Sequence, residues 1–97
     1  MSQPLTIIAR MRAKVGQESR LKQELLKLLA PTRAEAGCIS YDLHQSQTDP
    51  ALFVFYETWR SQADVDAHFA TPHLQAVLKI APEMLDGALD LTTWTKL

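Results

Sequence analysis

The segment from Phe53 to Arg60, FVFYETWR, constrains this chain more than any other. In an extended strand successive side chains point to opposite faces. Phe53, Phe55, Glu57 and Trp59 therefore share one side, and Val54, Tyr56 and Thr58 share the other. Both sides are largely apolar, the pattern of a strand covered on both faces. A chain of 97 residues has material for one core. Its own helices can cover one of these faces, and the other is expected to meet a second copy.

The flanking segments supply the cover. Leu5 to Ala13 alternates as a strand, with Leu5, Ile7, Ala9 and Met11 on one face and Thr6, Ile8, Arg10 and Arg12 on the other. Gly16 marks a turn, and then the period lengthens. Leu21, Leu25, Leu28, Leu29 and Thr32 form one stripe of an amphipathic helix between Gln17 and Glu35. Pro31 has no amide hydrogen to give Lys27, so a kink or break is predicted there. Gly37 is placed as the helix stop. Cys38 to Gln47 reads as the next strand, with Ile39, Tyr41 and Leu43 on one face, and Thr48-Asp49-Pro50 turns the chain.

After the Phe53 strand, Ser61 is placed to cap a helix with Asp64 as its capping-box partner, carrying Val65 and Phe69 inward. Thr71 is placed to cap another, with Pro72 at its first position and Leu74, Val77, Leu78 and Ala81 along it to about Leu85. Asp86-Gly87 breaks it, and Ala88 to Leu97 alternates as a last strand. The expected fold over residues 1–97, read as one domain, is α+β. It is a ferredoxin-like βαββαβ unit with a four-stranded antiparallel sheet and helices on one face. Pairing two open sheet faces makes a symmetric homodimer.

Charge narrows the partners. Lys and Arg number 10 against 11 Asp and Glu, spread along the chain with a net charge of −1. Phosphate binding needs a basic stripe, so neither nucleic acid nor a membrane surface is an expected partner. The start, Met1-Ser2-Gln3-Pro4, lacks the basic and apolar regions of a signal peptide, and no run approaches about 18 apolar residues. A cytoplasmic protein is expected. The one cysteine, Cys38, has no partner for an internal disulfide and no adjacent base. It reads as a buried or half-buried thiol.

Three segments, taken in order, carry a resemblance. They are Glu35-Ala36-Gly37-Cys38-Ile39-Ser40-Tyr41, Phe55-Tyr56-Glu57-Thr58-Trp59, and Asp66-Ala67-His68-Phe69-Ala70-Thr71-Pro72-His73. As a set, from Leu5 to about Leu89, the chain resembles the antibiotic biosynthesis monooxygenase family. The resemblance implies ferredoxin-like dimers whose sheets pack into an α+β barrel. It also implies a choice of chemistries: small quinol monooxygenases, polyketide-oxidising monooxygenases, haem-degrading enzymes, and an isomerase of a phosphorylated signalling sugar. In the haem-degrading branch an Asn, a Trp and an axial His act together. Their places are held here by Ala9, His68 and Leu78, which argues against haem.

His68 and His73 are the catalytic candidates. They would line a pocket between sheet and helices and handle a substrate hydroxyl proton, or else cap the helix corner through the backbone. Glu57 stands on an apolar face, so it is expected at a dimer seam, paired with an Arg such as Arg10 or Arg12, the alternative being a pocket that raises its pKa. Trp59 would stack on a planar substrate or fill the core, and either role fits Tyr41. With Glu57, these two are the substrate-binding candidates. The metal reading uses His44, His68, His73 and Glu57. His68 and His73 lie five apart across a Pro, which misses the i, i+4 spacing of two ligands on one helix face. No metal and no cofactor are expected. The expected function is cofactor-independent oxygenation of a small electron-rich aromatic, a hydroquinone or polyphenol. The alternatives are the sugar-phosphate isomerase and a non-catalytic small-molecule-binding dimer.

Overall fold

Glu57 and its strand sit at the centre of the sheet, and the reason is local. The computed structural model describes residues 3–97; Met1 and Ser2, the start of the polar N-terminal segment, lie outside the described residues. The elements are β1 (Leu5–Arg12), α1 (Glu18–Leu26), α2 (Leu29–Arg33), β2 (Cys38–Gln45), β3 (Leu52–Trp59), α3 (Gln62–Phe69), α4 (Pro72–Met84) and β4 (Asp90–Trp94). The sheet order is β2-β3-β1-β4, antiparallel throughout. The two most apolar strands, β1 and β3, are the inner pair. Their register sets Ile7 against Glu57 and Ala9 against Phe55, while Tyr41 flanks Glu57 from β2.

One sheet face carries Ile7, Ala9, Met11, Phe53, Phe55 and Trp59, all buried. Leu21 and Leu25 of α1, Val65 of α3, and Leu74, Val77 and Met84 of α4 close over it. Burying one such large side chain is worth about 1.5–3 kcal/mol, so this face holds the fold together. The other face carries Thr6, Ile8, Val54, Tyr56, Thr92 and Trp94, with Tyr56 48% and Trp94 55% exposed. Both inner strands are mixed on this side, and nothing from the described residues covers it. No helix among the described residues is long and apolar enough to cross a membrane.

One local expectation is met and two change. The break expected from Pro31 divides the stripe between Gln17 and Glu35 into two helices. The join at Lys27–Leu28 tightens, Leu28 N bonding Leu25 O at 3.1 Å, because Pro31 cannot supply the ladder bond to Lys27. Gly37 is not a left-handed stop; the positive-φ glycines are Gly16 and Gly87. A side chain at Gly37 would collide with Asp64, so the residue is bare to let the α2–β2 loop lie against α3. Arg60 N donates to Gly37 O at 2.9 Å and fixes that approach. In β2 a register shift between Cys38 and Ser40 turns Ile39 outward, 58% exposed, away from the face of Tyr41.

The caps also differ in detail. Ser61 Oγ accepts from Asp64 N at 3.3 Å, but the Asp64 carboxylate takes Ser61 Oγ–H and the Arg60 guanidinium. Thr71 stands at the α4 N-cap without a side-chain cap bond and donates to His68 O at 2.6 Å instead. That bond ties the end of α3 to the start of α4. It sets the corner on which both histidines ride. β4 is shorter than expected, Asp90–Trp94 in place of Ala88–Leu97.

Candidate functional site

Between the closed sheet face and the helices lies a cavity of about 430 Å³. Its body is apolar: Met11 and Phe55 from the sheet, Leu25 from α1, and Leu74, Val77 and Leu78 from α4. Three polar side chains reach its wall, Tyr41, Glu57 and His68, and no Lys or Arg does. A concave apolar space with a few convergent polar groups is the usual form of a small-molecule site.

Glu57 is 4% exposed, and its Oε1 accepts from Trp59 Nε1–H at 2.8 Å. The expected pairing with Arg10 or Arg12 does not form. Those residues sit at even positions of β1, on the open face, and Arg12 pairs with Asp49. Burial without a cation pushes the Glu57 carboxyl up to about 7; the Trp59 hydrogen bond opposes this and the Glu35 charge adds to it. Trp59 itself is fully buried and does not line the cavity. It packs against His68, ring centroids 4.6 Å apart, and holds Glu57 from beneath.

His68 ends α3 and is 3% exposed. Its Nδ1 lies 2.8 Å from Glu35 Oε2, and edge contacts with Tyr41 and Phe69 pin the ring. The Nε2 has no hydrogen-bond partner among the described residues. It is not sealed either, since Thr32 Oγ1 is the only fully enclosed side-chain polar atom there without a partner. Burial lowers the His68 pKa, the Glu35 hydrogen bond and charge oppose that, and His73 lowers it further. His73, at the second position of α4, does not reach the cavity wall. Its Nε2 meets the same Glu35 Oε2 at 2.9 Å in place of any backbone cap.

Tyr41 is 2% exposed and stacks on Phe55 at 4.5 Å. Burial first, and Glu57 second, push its phenol above the ordinary range; the Thr32 hydroxyl nearby acts the other way without reaching hydrogen-bond geometry. Cys38 is half-buried, as expected, with its thiol raised to about 11 by burial and by Glu35 and Glu57. It stays protonated and unreactive.

Glu35 is the residue that sequence reasoning missed. It stands two residues before a glycine at the tail of a polar helix face, where a charge reads as solvated. The signal was there, because it opens the E-x-G-C-x-x-Y segment. Glu35, His68 and His73 bring three ligand atoms within 4.8 Å of one another, so the five-residue spacing did not keep the histidines apart. The join between α3 and α4 folds them onto one carboxylate. As it stands this is a hydrogen-bonded set. Glu35 Oε2 lies between the rings, 2.8 Å from His68 Nδ1 and 2.9 Å from His73 Nε2. The haem-ligand places fit no haem: Ala9 and Leu78 are apolar wall.

The antibiotic biosynthesis monooxygenase family model matches residues 4–80. The chain is 40% identical over 73 residues to "Putative monooxygenase Rv0793" of Mycobacterium tuberculosis, covering 75% of this chain and 71% of that protein. It is 30% identical over 82 residues to "Probable quinol monooxygenase YgiN" of Escherichia coli, covering 74% and 79%. It spans 56% of the length of an uncharacterised Synechocystis protein, sll1783, to which it is 29% identical over 82 residues. Among solved structures, PA3566 from Pseudomonas aeruginosa superposes with a TM-score of 0.95 at 39% identity, covering 100% of this chain and 97% of that one. With its fold, its three segments and its full-length structural match in accord, this chain belongs to the antibiotic biosynthesis monooxygenase family.

Proposed function

We propose that this protein is a cofactor-independent monooxygenase, acting as one catalytic domain in a homodimer on a small electron-rich aromatic of the hydroquinone or polyphenol type. One observation carries the reading. A base and an acid, His68 and Glu57, stand on one apolar cavity, and burial moves their pKa values in opposite directions. His68 Nε2 accepts the phenolic proton, and the phenolate, poorly solvated among Phe55, Leu74 and Val77, becomes a better electron donor to oxygen. One oxygen atom enters the ring and the other leaves as water; the electrons come from the substrate. Glu57, its pKa raised to about 7 by burial, supplies a proton or hydrogen bond to the departing oxygen. Tyr41 closes the polar end.

The quinol monooxygenase name of one relative supports the substrate class. Against the sugar-phosphate isomerase stands the lining, which offers no cation to a phosphate. Against the non-catalytic reading stands the placing of His68 and Glu57 on one apolar wall, an acid and base pair that binding alone does not require. The pairing rests on the uncovered sheet face around Tyr56 and Trp94. Oxygen uptake by chelator-treated protein with a panel of hydroquinones is expected to exceed the spontaneous rate and to saturate. Uptake no faster than the protein-free control removes the proposal.

A further inference from the structure

We propose that Glu35 is a positioning residue: clamped between His68 and His73, its carboxylate holds the neutral His68 ring with the proton on Nδ1 and the bare Nε2 turned to the cavity. The role in turnover rests on His68 being the base proposed above, but the tautomer does not.

The geometry argues it in steps. A carboxylate oxygen only accepts, so at 2.8 Å the facing His68 Nδ1 carries the hydrogen. The ring cannot turn over to exchange its nitrogens, because Trp59 lies on one side and Tyr41 and Phe69 meet it edge-on. The carboxylate is fixed as firmly. His73 Nε2 holds the same oxygen at 2.9 Å from the first turn of α4. The loop that carries Glu35 is anchored on α3 by the Arg60 N to Gly37 O bond and by the bare Cα of Gly37. Glu35 forms no ion pair with Lys or Arg among the described residues, so its charge is spent on the two rings. When His68 takes a proton on Nε2, the imidazolium forms against that carboxylate, as in a serine-protease triad. His73, as the second donor to the oxygen, tempers the effect.

The test reads the tautomer directly. The full chain, labelled with ¹⁵N-histidine and treated with chelator, is expected to show His68 as the Nδ1–H tautomer at neutral pH, with no variant needed. Glu35→Gln removes the charge and keeps the shape. It is expected to mix the tautomers, lower the His68 titration midpoint, and cut kcat by about a hundredfold, the low end of what a general base supplies, with little change in KM. His73→Phe removes a donor from Glu35 and is expected to move the midpoint the other way. Tyr41, which meets the ring edge-on, and Glu57, which lines the same cavity, are unchanged in both variants and serve as the common background. An Nε2–H tautomer in the wild type overturns the proposal, as do midpoint shifts of the same sign in the two variants. A wild-type Nδ1–H ring in a protein without oxygenase activity leaves the clamp standing and removes only the monooxygenase reading.

Discussion

The two faces of β3 are one strand read at odd and even positions, and they have opposite fates. Phe53, Phe55, Glu57 and Trp59 are sealed by three helices, while Val54, Tyr56 and Thr58 look out from a face that nothing from the described residues covers. On the sealed side a single carboxylate among apolar groups becomes a weak acid. On the open side polar and apolar groups mix, with Arg10, Asp42 and His44 beside Ile8 and Tyr56. Chemistry gathers where water is excluded, because desolvation is what moves pKa values. The open face is proposed to work by association.

The largest expected effect breaks the sealed face at its base. His68→Ala is expected to lower kcat on hydroquinones by about 10²–10⁴-fold, the range a general base supplies, with the circular dichroism spectrum retained. A loss under threefold would move the base elsewhere. Glu57 comes next, and its sign is fixed by linkage. Its folded pKa, about 7, stands above the unfolded carboxyl value, so the folded state binds more protons between the two. Glu57 therefore costs stability as pH rises through that window, on the order of 3 kcal/mol by pH 8. Glu57→Gln keeps an acceptor for Trp59 Nε1–H and should flatten this fall in thermal unfolding between pH 5 and 8. It should also erase the limb near pH 7 from the rate profile. An unchanged pH dependence in both would show the carboxylate to be solvated.

On the open face, Tyr56→Arg together with Trp94→Arg should convert a dimer to monomer at micromolar concentration by light scattering, since aromatic anchors at such an interface cost about 2 kcal/mol or more each. A wild-type monomer would remove the association argument. The smallest effect belongs to the interior. Thr32 Oγ1 is enclosed without a partner, so Thr32→Val is expected to be neutral or to stabilise by up to about 1 kcal/mol in denaturant melts. A loss greater than that would place its hydrogen on Tyr41.

Much of this was legible in the sequence. The period-two patterns of β1 and β3 give the closed face as Ile7, Ala9, Met11, Phe53, Phe55 and Trp59 in advance, because alternation is a property of the backbone. The same alternation already set Arg10 and Arg12 on the face away from Glu57, and only the presumption that buried charges are paired obscured it. The bulge at Ile39 was not legible, since an extra residue leaves no mark in a strand's composition. Glu35 was legible only as the opening of the E-x-G-C-x-x-Y segment, and its role was not, because its partners come from α3 and α4, 33 and 38 residues away. Spacing rules read one helix face at a time, and this cluster joins a loop and two helices.

The most direct test of the central claim is the fate of the two oxygen atoms. With ¹⁸O₂, chelator-treated protein and a hydroquinone at neutral pH, mass spectrometry should find one labelled oxygen in each product molecule and the other in water. His68→Ala should abolish the labelling above background. Product carrying no label, or labelling untouched by the loss of His68, would contradict the account.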